Sequence, residues 1–258
     1  MSAKLQEADT AKSRTLGASP QGTADPQAAA EAVRKMFSEI APRYDLLNHV
    51  LSMNVDRLWW WRTARRFDSI LMNPEVRVLD LCCGTGDMAF ALERRARGGA
   101  KIVGADFAHP MLHRAAVKSE KLKKSPSWIE ADALQLPFVD DAFHLVTSAF
   151  GFRNLANYDE GLREILRVLR PGGECGILEC SEPEGALGAM YRVYFRHVLP
   201  KIGTALSGVS GPYAYLPASV ERFPKPPEML ERMRAAGFRE VAWTPYSFGI
   251  AGLYWGRK

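Results

Sequence analysis

Two glycines and three aspartates fall where alternating strands and helices would gather them around one ligand. Gly84-Thr85-Gly86 follows a short apolar run, Val76 to Cys82, and opens a helical stretch after Asp87. Glycines at such a point let the backbone approach a ligand without a Cβ in the way. Asp106 ends the next apolar run, where a carboxylate accepts hydrogen bonds from both ribose hydroxyls. Asp132 and Ala133 end a third run and lead into Leu136-Pro137-Phe138. A side-chain carboxylate beside a backbone N–H can read an adenine edge. Each residue alone fits a cap or a turn; three successive strand ends together fit an adenosine floor.

With Met88 and Ala89 the glycine run also matches G-x-G-x-x-A, which dinucleotide sites share. Asp80 separates the two readings. It stands four residues before Gly84, at the end of the first strand. A pyrophosphate is anionic and is repelled there, whereas an ammonium and a sulfonium are attracted. Thr85 and Asp87 add polar groups to the same loop. The floor therefore favours S-adenosylmethionine over a nicotinamide dinucleotide.

The elements that must carry these residues alternate. Strands are expected at Val76–Cys82, Ile102–Phe107, Trp128–Asp132, Ala142–Phe150 and Glu174–Ser181, with helices between them. The best-marked helix has Asn157 as N-cap and Glu160 three residues on. Leu162, Ile165, Leu166 and Leu169 form its stripe, and Pro171-Gly172-Gly173 is expected to end it. Two last strands, Glu240–Ser247 and Ile250–Gly256, turn near Gly249 as an antiparallel hairpin. This is an α/β fold, a Rossmann-like doubly wound seven-stranded sheet with a C-terminal hairpin and an N-terminal helical extension. Ligands bind such sheets beyond the strands' carboxyl ends. We expect a disordered tail over residues 1–26, rich in Ala, Ser, Gln, Gly and Thr. One domain then spans 27–258, with a helical cap at 27–73 and a substrate lid at 183–217.

A chain of 258 residues, 47% hydrophobic and 24% charged, can bury one sizeable core. No apolar run approaches the length of a membrane span. The four cysteines, Cys82, Cys83, Cys175 and Cys180, lie in apolar runs without metal-ligand spacing. They read as buried, reduced thiols, which suits the cytoplasm. The net charge of +5 is partly local: Lys118, Lys121, Lys123 and Lys124 form one cluster, and Arg62, Arg65 and Arg66 another. Both read as solvated helix faces. The remaining charge leaves room for an anionic membrane surface or a nucleic acid. A nucleic-acid methyltransferase is disfavoured, because Ser148-Ala149-Phe150-Gly151 stands where an Asn/Asp-Pro-Pro-aromatic motif would follow the fourth strand. Trp59, Trp60 and Trp61 cannot share one helix face, so one of them must meet solvent, a partner or a ligand.

Longer motifs resemble one family. Tyr44-Asp45-Leu46-Leu47-Asn48, Leu51-Ser52 and Trp59 form the first; Arg167-Val168-Leu169-Arg170-Pro171-Gly172-Gly173, continuing to Glu179 and Ser181, forms the second. Between them lie Cys83-Gly84-Thr85-Gly86-Asp87 and Phe150-Gly151-Phe152-Arg153-Asn154. The chain is similar, from about Met36 onward, to the ubiquinone/menaquinone biosynthesis C-methyltransferase family, within the class I methyltransferases that use S-adenosylmethionine. It departs from the family at Asp56, usually His, at Leu47, usually Met, and near Tyr254, where a His is common. The resemblance implies cofactor contacts at Thr85, Asp106, Asp132, Ala133 and Ser148. It also implies ring C-methylation of a demethylated prenyl quinol.

For that reaction Arg153 is expected to stabilise a phenolate and Asn154 to orient the ring oxygen. Asp45, or else His49, would accept the proton, and Tyr44 and Tyr213 would line the pocket. Met190 to Leu206, aromatic and basic, suits a lid over a greasy tail or an interfacial helix at the inner face of a membrane. A homodimer stays open. Three rivals fit some of the same residues: a methyltransferase for another small molecule, a dehydrogenase, and a non-catalytic cofactor-binding subunit.

Overall fold

Parallel strands covered on both faces read as near-continuous apolar runs, and the central strands of this chain do so with a few buried polar exceptions such as Asp80 and Glu179. In the computed structural model, β1 (Arg77–Leu81), β2 (Lys101–Asp106), β3 (Ser127–Glu130), β4 (Phe143–Ala149) and β5 (Leu169–Cys180) are parallel. β6 (Arg239–Tyr246) and β7 (Ala251–Arg257) complete the sheet as an antiparallel hairpin, with β7 against β5. The order is β3-β2-β1-β4-β5-β7-β6, so the switch point lies between β1 and β4. The structure describes residues 17–20, 23, 25–45, 49, 52–96, 99–123, 126–183, 188, 194 and 212–258.

Eight helices among these residues concern the argument: α1 (Pro26–Ile40), α2 (Val55–Arg66), α3 (Asp68–Leu71), α4 (Asp87–Ala96), α5 (His109–Leu122), α6 (Tyr158–Val168), α7 (Pro212–Arg222) and α8 (Pro226–Ala236). Strand alternation divides the core. Val78 and Leu145 face a layer with Trp59, Trp60, Phe67, Met88 and Leu92 from α2, its C-cap and α4. Leu79, Leu81 and Val146 face the other layer, with Leu162, Ile165, Met229 and Met233 from α6 and α8. Each fully enclosed leucine contributes about 2 kcal/mol.

The helix ends follow local chemistry. Asp25 accepts from the Ala28 N–H at 2.7 Å and Pro26 stands at the first helical position, which starts α1. Asn157 caps α6 by accepting from the N–H groups of Asp159 and Glu160. Contrary to the expected boundary, α6 ends at Val168, before Pro171-Gly172-Gly173. Leu169 is already extended and pairs with Phe143. A proline forces its predecessor out of the helical region; here Arg170 yields and the unwinding reaches Leu169. The three tryptophans divide as their spacing demands: Trp59 and Trp60 are buried, and Trp61 is exposed.

Within the expected tail, Gly17 and Ala18 lie against Leu155 and Ala156, with the Ala18 N–H donating to the Leu155 carbonyl at 2.7 Å. Residues 212–217 of the expected lid at 183–217 begin α7; most of the rest, including Met190 to Leu206 apart from Tyr194, lies outside the described residues. So do Leu46, Leu47, Asn48 and the side chain of Tyr213. No helix of the described residues is long and apolar enough to cross a membrane.

Candidate active site

A cleft of roughly 750 Å³, open to solvent, lies beyond the carboxyl ends of β1, β2 and β4. α1 covers it with Ala30 and Phe37, and Tyr44 follows on the same wall. Leu81, Cys82, Gly84, Asp106, Asp132 and Ala133 form the floor, and Phe150, Gly151, Asn154 and Leu155 the opposite side.

The glycine loop and the ribose-type carboxylate form one unit. Gly84 has φ +53°, and its N–H donates to Asp106 Oδ2 at 2.8 Å. Asp106 Oδ1 accepts from the Ala108 N–H at 2.9 Å. Burial pushes the Asp106 carboxyl up to about 6, although these N–H groups favour its charged form. Asp132 Oδ1 accepts from the Leu134 N–H at 2.9 Å, folding residues 131–134 into a tight turn against the cleft.

Strand ends here hold unusual backbone. Cys82 has φ +53° and Phe150 φ +59°, a region that costs side chains about 1–2 kcal/mol. Such residues concentrate at functional sites. A Cβ on Gly151 would stand 2.4 Å from the Cys82 Cβ, so glycine is required there. Burial pushes the Cys82 and Cys83 thiols well up, which leaves them protonated and chemically quiet.

Asp80 and Ser148 lie beneath the floor and do not line the cleft. Asp80 is fully enclosed; the Thr147 hydroxyl donates to its Oδ1 at 2.8 Å, and Oδ2 has no partner. Burial pushes its carboxyl up to about 7, against the opposing effect of the Thr147 hydroxyl and the Ala89 N–H. Contrary to the expectation of a charge at the loop itself, the carboxyl lies behind the loop, near the first turn of α4. The Ser148 hydroxyl is enclosed and without a partner.

The amino end of α4 is surrounded by acid. Thr85 donates to Asp45 Oδ1 at 2.5 Å. Lys118 Nζ donates to Asp87 Oδ1 at 2.6 Å, to Thr85 Oγ1 at 3.2 Å and to Asp45 Oδ2 at 3.3 Å. Burial raises the Asp87 carboxyl and Lys118 offsets part of that rise. His49 adds to this corner: its Nδ1 lies 2.9 Å from Asp56 Oδ2, the position where the family pattern has His. A helix amino end ordinarily attracts an anion. Here Asp45 and Asp87 around Lys118, with Asp80 behind the loop, oppose that preference. The donor set suits a cationic ligand end and not a pyrophosphate.

Arg153 is placed differently from the expectation. Its Nη1 donates to Glu179 Oε2 at 2.7 Å and to the Phe150 carbonyl at 2.5 Å, and its N–H donates to Glu179 Oε1 at 3.0 Å. Burial alone would lower the guanidinium pKa; Glu179 outweighs it and holds the group charged. Arg153 thus lies behind the wall that Asn154 forms. Asn154 Oδ1 accepts from the Tyr215 hydroxyl at 3.1 Å, and burial pushes that phenol up to about 12. Tyr44, on the α1 wall, is within electrostatic reach of Arg153. Tyr44, Arg153 and Asn154 therefore come together, while Asp45 turns toward Thr85 and Lys118.

Lys118 escaped sequence reasoning because it stood in a lysine run read as solvated. The signal was its spacing: it continues the stripe of Met111 and Ala115 on the buried face of α5. Glu179 was legible as an acid inside an apolar strand, which demands a cation opposite it.

The model of the ubiE/COQ5 methyltransferase family matches residues 25–258. The demethylmenaquinone methyltransferase of Deinococcus radiodurans is 48% identical over 235 residues, 91% of this chain and 95% of that protein. Its counterpart in Thermus thermophilus is 51% identical over 224 residues, 86% of this chain and all of that protein. The ubiquinone/menaquinone biosynthesis C-methyltransferase of Geobacter sulfurreducens is 43% identical, covering 88% of this chain and 89% of that protein. Among solved structures, a SAM-dependent methyltransferase from Thermotoga maritima superposes with TM-score 0.61 at 19% identity. It covers 88% of this chain and 99% of that one, and bears on the fold alone.

Proposed function

The chain belongs to the ubiE/COQ5 methyltransferase family, and from that premise we propose that it methylates a ring carbon of a demethylated prenyl quinol, such as demethylmenaquinol. It is a methyltransferase, and S-adenosylmethionine is its methyl donor. We read residues 27–258 as one catalytic unit, with 27–73 as its cap. The observation that carries the reading is the adenosine-type floor of Gly84, Asp106, Asp132 and Ala133 in a largely apolar cleft, with the acidic corner at α4 directly following Gly84 in the chain.

S-adenosylmethionine supplies an electrophilic methyl group on a positively charged sulfur. In this reading Asp106 accepts from the ribose hydroxyls, and Asp132 with the Ala133 N–H meets the adenine edge. Thr85, Asp45, Asp87 and Lys118 hold the amino-acid end, with Asp80 adding negative charge from below. Ser148 supports the floor.

The acceptor ring lies against Tyr44, and the Asn154 amide orients its ring oxygen. Tyr215 fixes that amide, and Arg153 fixes the wall from behind. Arg153 is thus a positioning residue, and Asp45 holds the amino-acid end instead of taking a proton. Ring carbon becomes nucleophilic when a phenolic proton leaves to water at the open mouth. Apolar walls from Phe37, Met111, Leu134 and Leu155 lower the local dielectric and strengthen attraction between phenolate and sulfonium. Asn154 and Tyr44 would hold the acceptor beside the cofactor floor, which would remove much of the entropic barrier. The new carbon–carbon bond would form as the sulfur–methyl bond breaks, with S-adenosylhomocysteine as the leaving group; the ring proton would then pass to water, and the phenolate would regain a proton from solvent.

A prenyl quinol resides in a bilayer, so we read the protein as peripheral to a membrane. Mass spectrometry of the quinone pool in cells lacking the gene tests the reading. An unmethylated quinone should accumulate; an unchanged pool would sink the proposal.

A further inference from the structure

The outward face of α2 is built for contact. Arg57, Leu58, Trp61, Arg62 and Arg65 are all exposed, at spacings that place them on one side of the helix. Leu58 and Trp61 show 49% and 44% of their surface. The helix's one acid, Asp56, is turned inward onto His49. Among the described residues, none of these three arginines pairs with a carboxylate within ion-pair distance. Arg62 instead lies 4.2 Å over the Tyr246 ring, and Arg65 5.2 Å over the Trp61 ring.

Two further apolar tips flank the helix. Met53, in the turn before it, is 76% exposed, and Phe248, in the β6–β7 turn, 87%. The β6–β7 turn is held to α2 by the Trp59 indole N–H, which donates to Ser247 Oγ at 2.8 Å. The Trp59 ring also lies 5.7 Å from Phe150, a residue of the cleft wall. The face is therefore one side chain away from the cleft.

We propose that this face, Arg57, Leu58, Trp61, Arg62 and Arg65 with Met53 and Phe248 beside it, docks on an anionic phospholipid surface. The inference rests on the quinol reading and supplies the surface through which a bilayer-borne substrate is reached. Arginines without acids complement anionic headgroups, and tryptophan and leucine between them suit the headgroup–acyl boundary. A second copy is disfavoured as occupant, because a two-fold interface here would set arginines against arginines. A nucleic acid would leave Met53 and Leu58 without a role.

Flotation of the full chain tests this. Vesicles of phosphatidylcholine alone are compared with vesicles that include phosphatidylglycerol. The protein should float with the anionic vesicles and lose binding as salt rises. Each arginine is worth about fivefold in partitioning at roughly 1 kcal/mol, so R57Q/R62Q/R65Q should bind about a hundredfold more weakly. L58S/W61S/F248S should also fail to float, while methylation of a detergent-dispersed, short-chain quinol stays at the parental rate in both. Parental flotation by both variants overturns the proposal, as does absence of flotation by a protein that methylates the short-chain quinol. Sedimentation showing that the variants lose a dimer while still floating would make the face a subunit interface and overturn it too. Failure to methylate any quinol would instead sink the functional reading, whatever the flotation result.

Discussion

Arg153 Nη1 lies 2.7 Å from Glu179 Oε2, and Glu179 is fully enclosed within β5. The guanidinium that the motif offered as a phenolate stabiliser is spent on a buried ion pair. Removing one partner of such a pair costs about 3–5 kcal/mol, because the other charge stays buried.

Arg153→Ala is therefore expected to lower the melting temperature by about 10 °C. The apolar pair Arg153→Met with Glu179→Leu should recover most of that loss. A thermal melt beside a rate measurement separates the roles. Parental melting with lost turnover would return Arg153 to the chemistry.

Asp80 gives a pH signature in both binding and stability. Its folded carboxyl stands near 7, above the usual carboxylate value of 3.8. Its contribution to stability is thus complete below about pH 4 and lost as pH rises through 7. The unliganded protein should tolerate less urea at pH 7.5 than at pH 5 on this account, and Asp80→Asn should flatten that slope. Binding has the opposite sign, since a cationic ligand favours ionised Asp80. Affinity for S-adenosylmethionine should rise between about pH 6 and pH 8. S-adenosylhomocysteine, which lacks the sulfonium charge, should gain less. Equal pH dependence of the two ligands would sink the electrostatic assignment.

Asp106 holds the loop and, in our reading, the ribose. Asp106→Ala removes charge-assisted bonds worth about 2–3 kcal/mol. The cofactor KM should rise about 30- to 100-fold, with kcat changed far less. Calorimetry that finds parental affinity would remove Asp106 from the cofactor site.

Cys82 and Gly151 should be energetically coupled. Gly151→Ala puts a Cβ 2.4 Å from that of Cys82, an overlap costing about 1–3 kcal/mol. Adding Cys82→Gly removes the opposing atom and should restore over half of the lost stability. Simple additivity in the double-mutant cycle would contradict this contact.

The sheet was legible because the buried strands announce themselves as largely apolar runs. Boundaries moved where a proline acted at a distance, as at Leu169. The floor was legible because Gly84, Asp106 and Asp132 follow strand ends, which the topology brings together. Side-chain direction was not legible. Asp80 is one strand position away from Leu81, which lines the cleft, and alternation turns it beneath the floor; Ser148 lies inside β4, two residues before the lining residue Phe150. Lys118 was hidden because charge alone does not reveal which helix face a residue occupies. Arg153 needed its partner across the sheet, Glu179, to be understood.

The central claim is tested most directly with purified protein, S-adenosylmethionine carrying a labelled methyl group, and a reduced, demethylated naphthoquinol. Mass spectrometry and proton NMR of the product should place the label on the ring carbon, with both hydroxyls retained and the product still oxidisable to a quinone. Label on oxygen, or cofactor bound with no transfer to the quinol, would contradict it.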